Sequence, residues 1–225
     1  VAEVQPLEGF FGVGGGLGDI KAIGSRHDLH VLQGVDLLAD LLALAQSWRD
    51  QPYPLLTAGM YAAFCRTGSR KACETPYFAR RVKLIAAAMH VCLTGETADL
   101  PIVEDGLWLL CEETTWAISA HAELNAQHPF PDPQRTIIDL FAAQTAMILS
   151  FVCQLLEDVL HPDLYGRVRR EVERRVLTPF MEYDGEWWMG FVRKDLCNWT
   201  PWIISNILMA ASIQWTDALR FAQMA

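Results

Sequence analysis

An all-α fold is the class that this sequence predicts, and three observations support it. Apolar residues recur at steps of three and four in segment after segment, which is the spacing of one helix face. Glycine and proline residues stand between those segments and separate them. No stretch alternates apolar and polar residues as a half-buried strand does, and no strand–helix–strand alternation occurs. We therefore expect a fold built from antiparallel helical hairpins.

Residues 1–35 are the exception, and we expect an irregular N-terminal segment there. A glycine cluster in this segment fits neither GxGxxG nor GxxxxGK(S/T), so a flexible stretch is favoured over a phosphate-binding loop. His27 and His30 have a spacing that could hold a metal, but they lack a third ligand nearby, which favours a surface pair. We predict no metal site and no cofactor. Residues 36–225 are expected to form one helical domain.

Three helices are predicted in the first part of this domain, at about 36–48, 54–65 and 71–93. Gly95 is expected to end the third. In that helix Arg80, Arg81 and Lys83 are predicted to lie off the buried face. The residues expected on the buried face are Phe78, Val82, Ile85, Ala86 and Met89.

A fourth helix is predicted from about Pro101 to His121, because apolar residues continue at helical spacing through this stretch. On such a helix Glu113 would have Trp116 on one side and His121 on the other. A carboxylate between an indole and an imidazole could orient a sugar or relay a proton. The same three side chains could also form a packed, hydrogen-bonded structural trio, and spacing alone favours this second interpretation.

Two further helices are expected after a proline-rich loop around Pro129, Pro131 and Pro133. The first should begin at Asp132 and Pro133 and run to Leu160, apolar on nearly all sides. The second, at about 162–180, is amphipathic, and its Arg/Glu run is predicted to be a solvated outer face.

The stretch from Glu186 to Ala211 places four tryptophans around Asn198 and then enters an apolar helix opened by Thr200 and Pro201. A side-chain amide just ahead of a helix can reach a ligand, and aromatic rings suit the flat faces of sugars. The alternative is a buried tryptophan cluster in which Asn198 caps a turn. The residue types alone favour this alternative.

Composition limits the classes of function. The chain has 225 residues, 52% of them hydrophobic, so it can bury a large core. A net charge of −9 argues against a nucleic-acid partner, although a locally basic cleft could still bind an anionic glycan. The one run that approaches membrane-span length, 136–156, carries polar residues, so no membrane partner is expected. Six cysteines without a CxxC pair favour a reducing, cytoplasmic compartment, and a trimmed N-terminus would leave periplasmic or secreted locations open.

Three stretches, taken in order, resemble the helical domain of the heparinase II/III-like proteins, a family of polysaccharide lyases and uncharacterised relatives. A proline-rich loop and a helical pair separate the second stretch from the third. The resemblance implies a complete or incomplete α/α toroid whose inner helices surround a glycan cleft. The stretches are YAAFCRTGSRKACETPYFARRVKLIAAAMHV (Tyr61 to Val91), LWLLCEETTWAISAHAEL (Leu107 to Leu124) and CNWTPWIISNILMAA (Cys197 to Ala211).

Family lyases cut uronic-acid-containing polysaccharides by β-elimination. One group neutralises the uronate carboxylate, a second removes the C5 proton and a third protonates the leaving oxygen. The resemblance matches Asn198 to the neutralising group and implies an acidic polysaccharide or oligosaccharide as partner. The expected substrate-binding residues are Glu113, Trp116, His121, Trp188 and Trp199.

The sequence departs from the family pattern because it ends at Ala225, before the expected catalytic Tyr, the later His and a C-terminal β-sandwich. We therefore expect either a fragment of a longer lyase or a relative that kept the helical scaffold alone, and no cleavage by this piece. If it did contain a base, Tyr183 would be the first suspect. Two alternatives remain open: a non-catalytic carbohydrate-binding or scaffold module, and an α/α-toroid glycoside hydrolase. The hydrolase would draw its acid from Glu112, Glu113 and Asp195.

Overall fold

The computed structural model describes residues 36–191 and 197–215, and these residues are mostly helical. Within these ranges the chain contains no strand, which confirms the all-α prediction. The irregular N-terminal segment, the glycine cluster, His27, His30 and Asp195 lie outside the described residues. The helices are α1 (Asp36–Arg49), α2 (Ala58–Thr67), α3 (Lys71–Thr94), α4 (Leu100–Glu112), α5 (Leu140–Leu155), α6 (Pro162–Val172), α7 (Thr178–Glu182) and α8 (Trp199–Gln214).

Two helices form the centre of the packing. Helix α5 makes its most extensive contact with α8, and α3 contacts α1, α2, α4 and α5. Helix α6 covers both α4 and α5. Helices α5 and α8 are apolar around most of their circumference, as expected of elements with neighbours on several sides. A single hydrophobic cluster runs through α3, α4, α5, α6 and α8.

Helix α3 ends as predicted, with Gly95 in the left-handed conformation at φ 73° and its N–H bonded to the Val91 carbonyl. The face predicted to be buried is only partly right, since Ala86 is buried and Ile85 and Met89 pack against the core, but Val82 is exposed. The three basic residues predicted to lie off this face, Arg80, Arg81 and Lys83, are all buried, together with Tyr77 and Leu84. The two guanidinium groups can lie inside because a buried carboxylate, Glu113, pairs with both.

Helix α4 is shorter than predicted. It ends at Glu112, and Glu113 adopts an extended backbone at ψ 134°. Turns follow through residue 123, where Glu123 has a positive φ of 53°. The prediction of one helix from Pro101 to His121 is therefore wrong, and so is the helical angle between Glu113 and His121. The ion pairs of Glu113 explain the early end, since they hold this side chain against α3.

The boundaries around α5 and α8 also shift. Helix α5 begins at Leu140, later than predicted, because the Asp139 carboxylate caps it by accepting from the N–H groups of Phe141 and Ala142. Helix α8 begins at Trp199, with Asn198 as its first flanking residue and Pro201 in the first turn.

The amphipathic segment after Pro162 is interrupted by a π-helical turn at Glu173–Leu177, between α6 and α7. The apolar face is as predicted, since Val168, Val172 and Val176 are fully buried. The opposite face is only partly solvated. Arg174 is exposed, but Arg175 is largely buried and donates to the carbonyls of Glu113 and Cys111.

All six cysteines lie within the described ranges as thiols, and four of them are buried. None of the helices in the described ranges is long and apolar enough to cross a bilayer.

Candidate functional site

Three aromatic rings from distant parts of the chain meet beside the start of α8. The rings of Trp187 and Trp199 have centroids 4.8 Å apart, and those of Trp199 and His121 are 4.7 Å apart. We call Trp187, Trp199 and His121 the aromatic surface. Trp187 is 39% exposed, while Trp199 is partly buried and packs against the core. One end of this surface is therefore open to solvent, and the other is anchored.

His121 is held by two contacts. Its Nδ1 lies 2.8 Å from Oδ2 of the buried Asp139, and its ring stacks on Phe141 at a centroid distance of 6.0 Å. The same Asp139 carboxylate caps α5 and accepts from the Ile118 N–H. The backbone around His121 and the start of α5 are thus fixed to one carboxylate, which orients the imidazole towards Trp199.

Asn198 is exposed and lies next to Trp199 at the start of α8. Its side chain makes no capping hydrogen bond within the described part of the chain, although it occupies the capping position. Its backbone is helical, at φ −62° and ψ −16°, unlike the extended backbone of most capping residues. Asn198 is thus an exposed residue that directly precedes Trp199 of the aromatic surface.

Trp188 points the other way from its neighbour Trp187. It is 1% exposed and stacks on Phe180, and its carbonyl accepts a 2.6 Å hydrogen bond from the Thr200 hydroxyl. This bond ties the 3-10 turn Trp187–Met189 to the first turn of α8. The role of Trp188 in the structure is to position Trp187 and Trp199.

Glu113 forms a buried ionic network with α3. Its carboxylate accepts from Arg80 at 3.0 Å and from Arg81 at 2.8 Å, and it is 4% exposed. Arg81 also donates to the Thr145 hydroxyl and lies over the ring of Tyr77, at 3.3 Å from its centroid. Complete burial raises the pKa of Tyr77 well above its ordinary value, so its hydroxyl remains a donor, and it bonds the Trp116 carbonyl at 2.6 Å.

Trp116 is also buried, with 2% of its surface exposed. Its indole N–H bonds the Leu110 carbonyl at 2.8 Å, and the guanidinium of Arg175 lies 4.9 Å from its ring centroid. Glu113 and Trp116 are therefore joined through Arg175, which bonds the Glu113 carbonyl. Both residues belong to the packed interior that supports α4.

Two glutamates flank the aromatic surface. Glu186 precedes Trp187, and Glu123 lies two residues beyond His121 and forms an ion pair with Arg135. Burial, and then the nearby charge of Glu123, raise the pKa of Glu186, while Arg135 opposes the rise. Three ionisable groups that the sequence did not connect thus lie within electrostatic reach of one another beside Trp187.

The structure brings together His121, Trp199 and Asn198 from the predicted site and adds Trp187 and Glu186 to them. It places Glu113, Trp116 and Trp188 in buried contacts. Glu112, a predicted hydrolase acid, is exposed and pairs with Arg167, and Tyr183 is exposed at 58%. Glu186 could have been singled out in the sequence only by its place beside Trp187 in the EWW triplet.

Among residues 36–191 and 197–215, no group of three or more His, Cys, Asp or Glu side chains is arranged to hold a metal ion. Comparison with protein-family models gives no match to this chain, and comparison with curated proteins gives none either.

Proposed function

We propose that this chain is the helical, substrate-binding part of a polysaccharide lyase-like protein that acts on uronic-acid-containing glycans. The observation that carries the proposal is the contact of Trp187, Trp199 and His121 beside an exposed asparagine amide. Indole faces provide apolar area for the C–H faces of a sugar, and an amide and an imidazole provide hydrogen bonds for its rim. The helical hairpins would form part of an α/α toroid around this surface.

In β-elimination, Asn198 would donate its amide N–H to the uronate carboxylate as negative charge develops on the sugar. Such a donor lowers the barrier because it stabilises the transition state more than the bound substrate. The ring of His121, oriented by Asp139, contacts the ring of Trp199. His121 would therefore bond a hydroxyl of the neighbouring sugar. Glu113 and Trp116 would support this surface from inside rather than touch the glycan.

Glu186 favours a second candidate function, hydrolysis of a glycosidic bond by a carboxylic acid. A general acid must keep its proton near neutral pH, and the pKa of Glu186 is raised by burial and by Glu123. Glu123 would be the second carboxylate. A third possibility is a non-catalytic binding module, in which the aromatic surface holds the glycan and no bond is broken.

The first experiment measures binding by titration calorimetry with a uronate-containing tetrasaccharide. Trp187→Ala should weaken binding about fivefold, because one stacking contact of roughly 1 kcal/mol is lost. Trp108→Ala is the matched control, since Trp108 is also an exposed tryptophan but lies on α4 against Arg167. Absence of binding by the unmodified chain, or equal affinity of the two variants, would refute the proposal.

Product analysis then separates the candidate functions, with the longest available form of the protein as the enzyme. A lyase forms an unsaturated sugar that absorbs in the ultraviolet, whereas a hydrolase forms a saturated reducing end. Glu186→Gln should abolish hydrolysis but leave elimination measurable. Binding without either product would support the module.

A further inference from the structure

A shallow pocket open to solvent lies between the turns after α4, the loop before α5 and the π-helical turn. Three arginines, Arg135, Arg174 and Arg175, line it together with threonines from the first two of these segments. We call it the arginine pocket. Its enclosed space suits one small charged group of a ligand and is too small for a whole small molecule.

Glutamates outside the pocket lining pair with its arginines. Glu171 accepts from both Arg174 and Arg175, and Glu123 pairs with Arg135. Glu186 also lies within electrostatic reach of Arg135, but the residues that line the pocket include three arginines and no acidic side chain, in a chain whose net charge is −9. Such a locally basic pocket attracts an anion, and the attraction acts over less than about 8 Å at physiological salt.

The walls differ in rigidity, which suits a binding site. Arg175 is fixed, because three of its nitrogens bond to Glu171, the Glu113 carbonyl and the Cys111 carbonyl. Arg135 and Arg174 are each 56% exposed and stand at the mouth. Guanidinium groups present paired N–H donors that match the two oxygens of a carboxylate, and threonine hydroxyls can complete its hydrogen bonds.

Arg135 connects this pocket with the aromatic surface. It lines the pocket, and its ion-pair partner Glu123 lies two residues beyond His121. Glu186, within electrostatic reach of both Glu123 and Arg135, directly precedes Trp187. The arginine pocket is thus linked to His121 through the ion pair of Arg135 and Glu123, and to Trp187 through Glu186.

We propose that the arginine pocket binds one oxyanion group, a carboxylate or a sulfate, of an acidic sugar chain whose rings lie on the aromatic surface. The ligand class rests on the proposed function, whereas the anion site rests on the pocket itself. Asn198 would then contact the sugar that reacts, and the arginine pocket would select a second acidic sugar along the chain.

The anion site is tested without any polysaccharide. Thermal unfolding of the full 225-residue chain is followed with sodium glucuronate, with sodium sulfate and with sodium chloride at equal ionic strength. Glucuronate or sulfate should raise the melting temperature relative to chloride, because a ligand that binds the native state stabilises it. The glucuronate effect should vanish in the double variant Arg135→Gln, Arg174→Gln and persist in Arg170→Gln. The sulfate effect should become smaller in the double variant but not vanish, because sulfate also stabilises folded proteins by exclusion from their surface. Arg170 is the matched control, an exposed arginine of α6 outside the pocket.

The selection of acidic sugars is tested by calorimetry with a uronate tetrasaccharide and its carboxyl-reduced, neutral counterpart. The native chain should bind the acidic form at least about tenfold more tightly, since a charge-assisted bond to an arginine is lost in the neutral form. In the double variant the two affinities should converge, while binding of the neutral form stays unchanged.

The outcomes separate the two proposals. A glucuronate effect that equals that of chloride, or that survives undiminished in the double variant, overturns the arginine pocket as an anion site. An unchanged preference for the acidic tetrasaccharide in the double variant also overturns the arginine pocket as an anion site. The proposed function would then stand. Failure of the native chain to bind either tetrasaccharide, with an arginine-dependent glucuronate effect intact, refutes the proposed function and supports the pocket.

Discussion

At the scale of single residues, the charge of Glu113 is the one on which the interior depends most. Glu113→Gln leaves Arg80 and Arg81 buried without their common counter-charge. We expect a loss of about 3–5 kcal/mol in the free energy of unfolding, the usual cost of breaking a buried ion pair from one side. Denaturant titration measures it.

Glu112→Gln is the matched control for that experiment, because Glu112 is the preceding residue and its pair with Arg167 is half exposed. We expect a change below about 1 kcal/mol. Equal losses in the two variants would mean that the burial of Glu113 contributes nothing beyond a surface contact.

Asn198→Ala should separate function from stability. Because the side chain makes no capping hydrogen bond among the described residues, we expect a loss below about 0.5 kcal/mol in stability. If the amide stabilises the developing charge as proposed, turnover in a catalytically active form of the protein should fall about 100- to 1000-fold.

Asn206→Ala provides the comparison, since Asn206 lies further along α8 and bonds the Trp202 carbonyl of its own helix. It should leave turnover nearly intact. An Asn198→Ala protein that melts early but turns over normally would end the catalytic assignment.

The raised pKa of Glu186 predicts how the stability of the folded chain changes with pH. The pKa of its carboxyl is raised in the folded state, so the folded chain disfavours the charged form. Stability from this group therefore increases as the pH falls through the raised pKa and is smallest at neutral pH. Glu186→Gln should have an unchanged or higher melting temperature at pH 7, and this advantage should disappear in acid.

Glu182→Gln serves as the control, because Glu182 is an exposed glutamate of the same region, at the end of α7. A lower melting temperature of Glu186→Gln at pH 7, relative to Glu182→Gln, would show that Glu186 is stabilised as an anion.

At the scale of elements, two glycines inside helices should respond oppositely to alanine. A Cβ at Gly106 in α4 would lie 2.3 Å from the Tyr53 hydroxyl and 3.0 Å from Leu84. Overpacking of this kind costs about 1–3 kcal/mol, which exceeds the helix propensity that alanine gains. Gly106→Ala should therefore lower the free energy of unfolding.

Gly166→Ala in α6 meets only the mobile end of Arg170, at 3.3 Å. It should stabilise the chain by about 0.5–1 kcal/mol, because the backbone loses less entropy on folding. Denaturant midpoints of the two variants test both the expected destabilisation by Gly106→Ala and the expected stabilisation by Gly166→Ala. A stabilising Gly106→Ala would mean that Tyr53 moves aside at little cost.

The sequence predicts the existence of the helices better than their faces and ends. Gly95 stops α3 through its own backbone freedom, which is local information. The end of α4 is set instead by Glu113 and its partners on α3, about thirty residues earlier in the chain. On the same helix Arg80 is buried and Val82 is exposed, so a rule based on hydrophobicity alone misplaces both side chains.

At the scale of the whole molecule, the six thiols report global unfolding. Cys65 and Cys197 are partly exposed and the other four are buried. Burial raises the pKa of Cys111 to about 11 and that of Cys153 to about 12, so few reactive thiolates form at neutral pH. A chromogenic disulfide reagent should modify two cysteines rapidly and the remaining four at the unfolding rate.

The double variant Cys65→Ser, Cys197→Ser should show no rapid phase. A rapid phase of three or more thiols in the unmodified chain would mean that part of the core opens without global unfolding.

The candidate site was only partly predictable because its geometry depends on long-range packing. The tryptophans around Asn198 are visible in the sequence, but Trp187 faces solvent and Trp188 faces the core. His121 joins them only because Asp139 holds its ring against Phe141 and Trp199. No local spacing encodes that contact, since it joins segments that are far apart in the chain.

The π-helical turn at Glu173–Leu177 has a consequence for the history of the gene. A π turn is equivalent to one residue inserted into an α-helix, and the helical frame on either side can survive its removal. Deleting one codon here should therefore be tolerated far better than deleting one within α5. A homologue that is one residue shorter at this point could keep the same helices yet lose one of the adjacent arginines, so a single-codon indel could remove one wall of the arginine pocket.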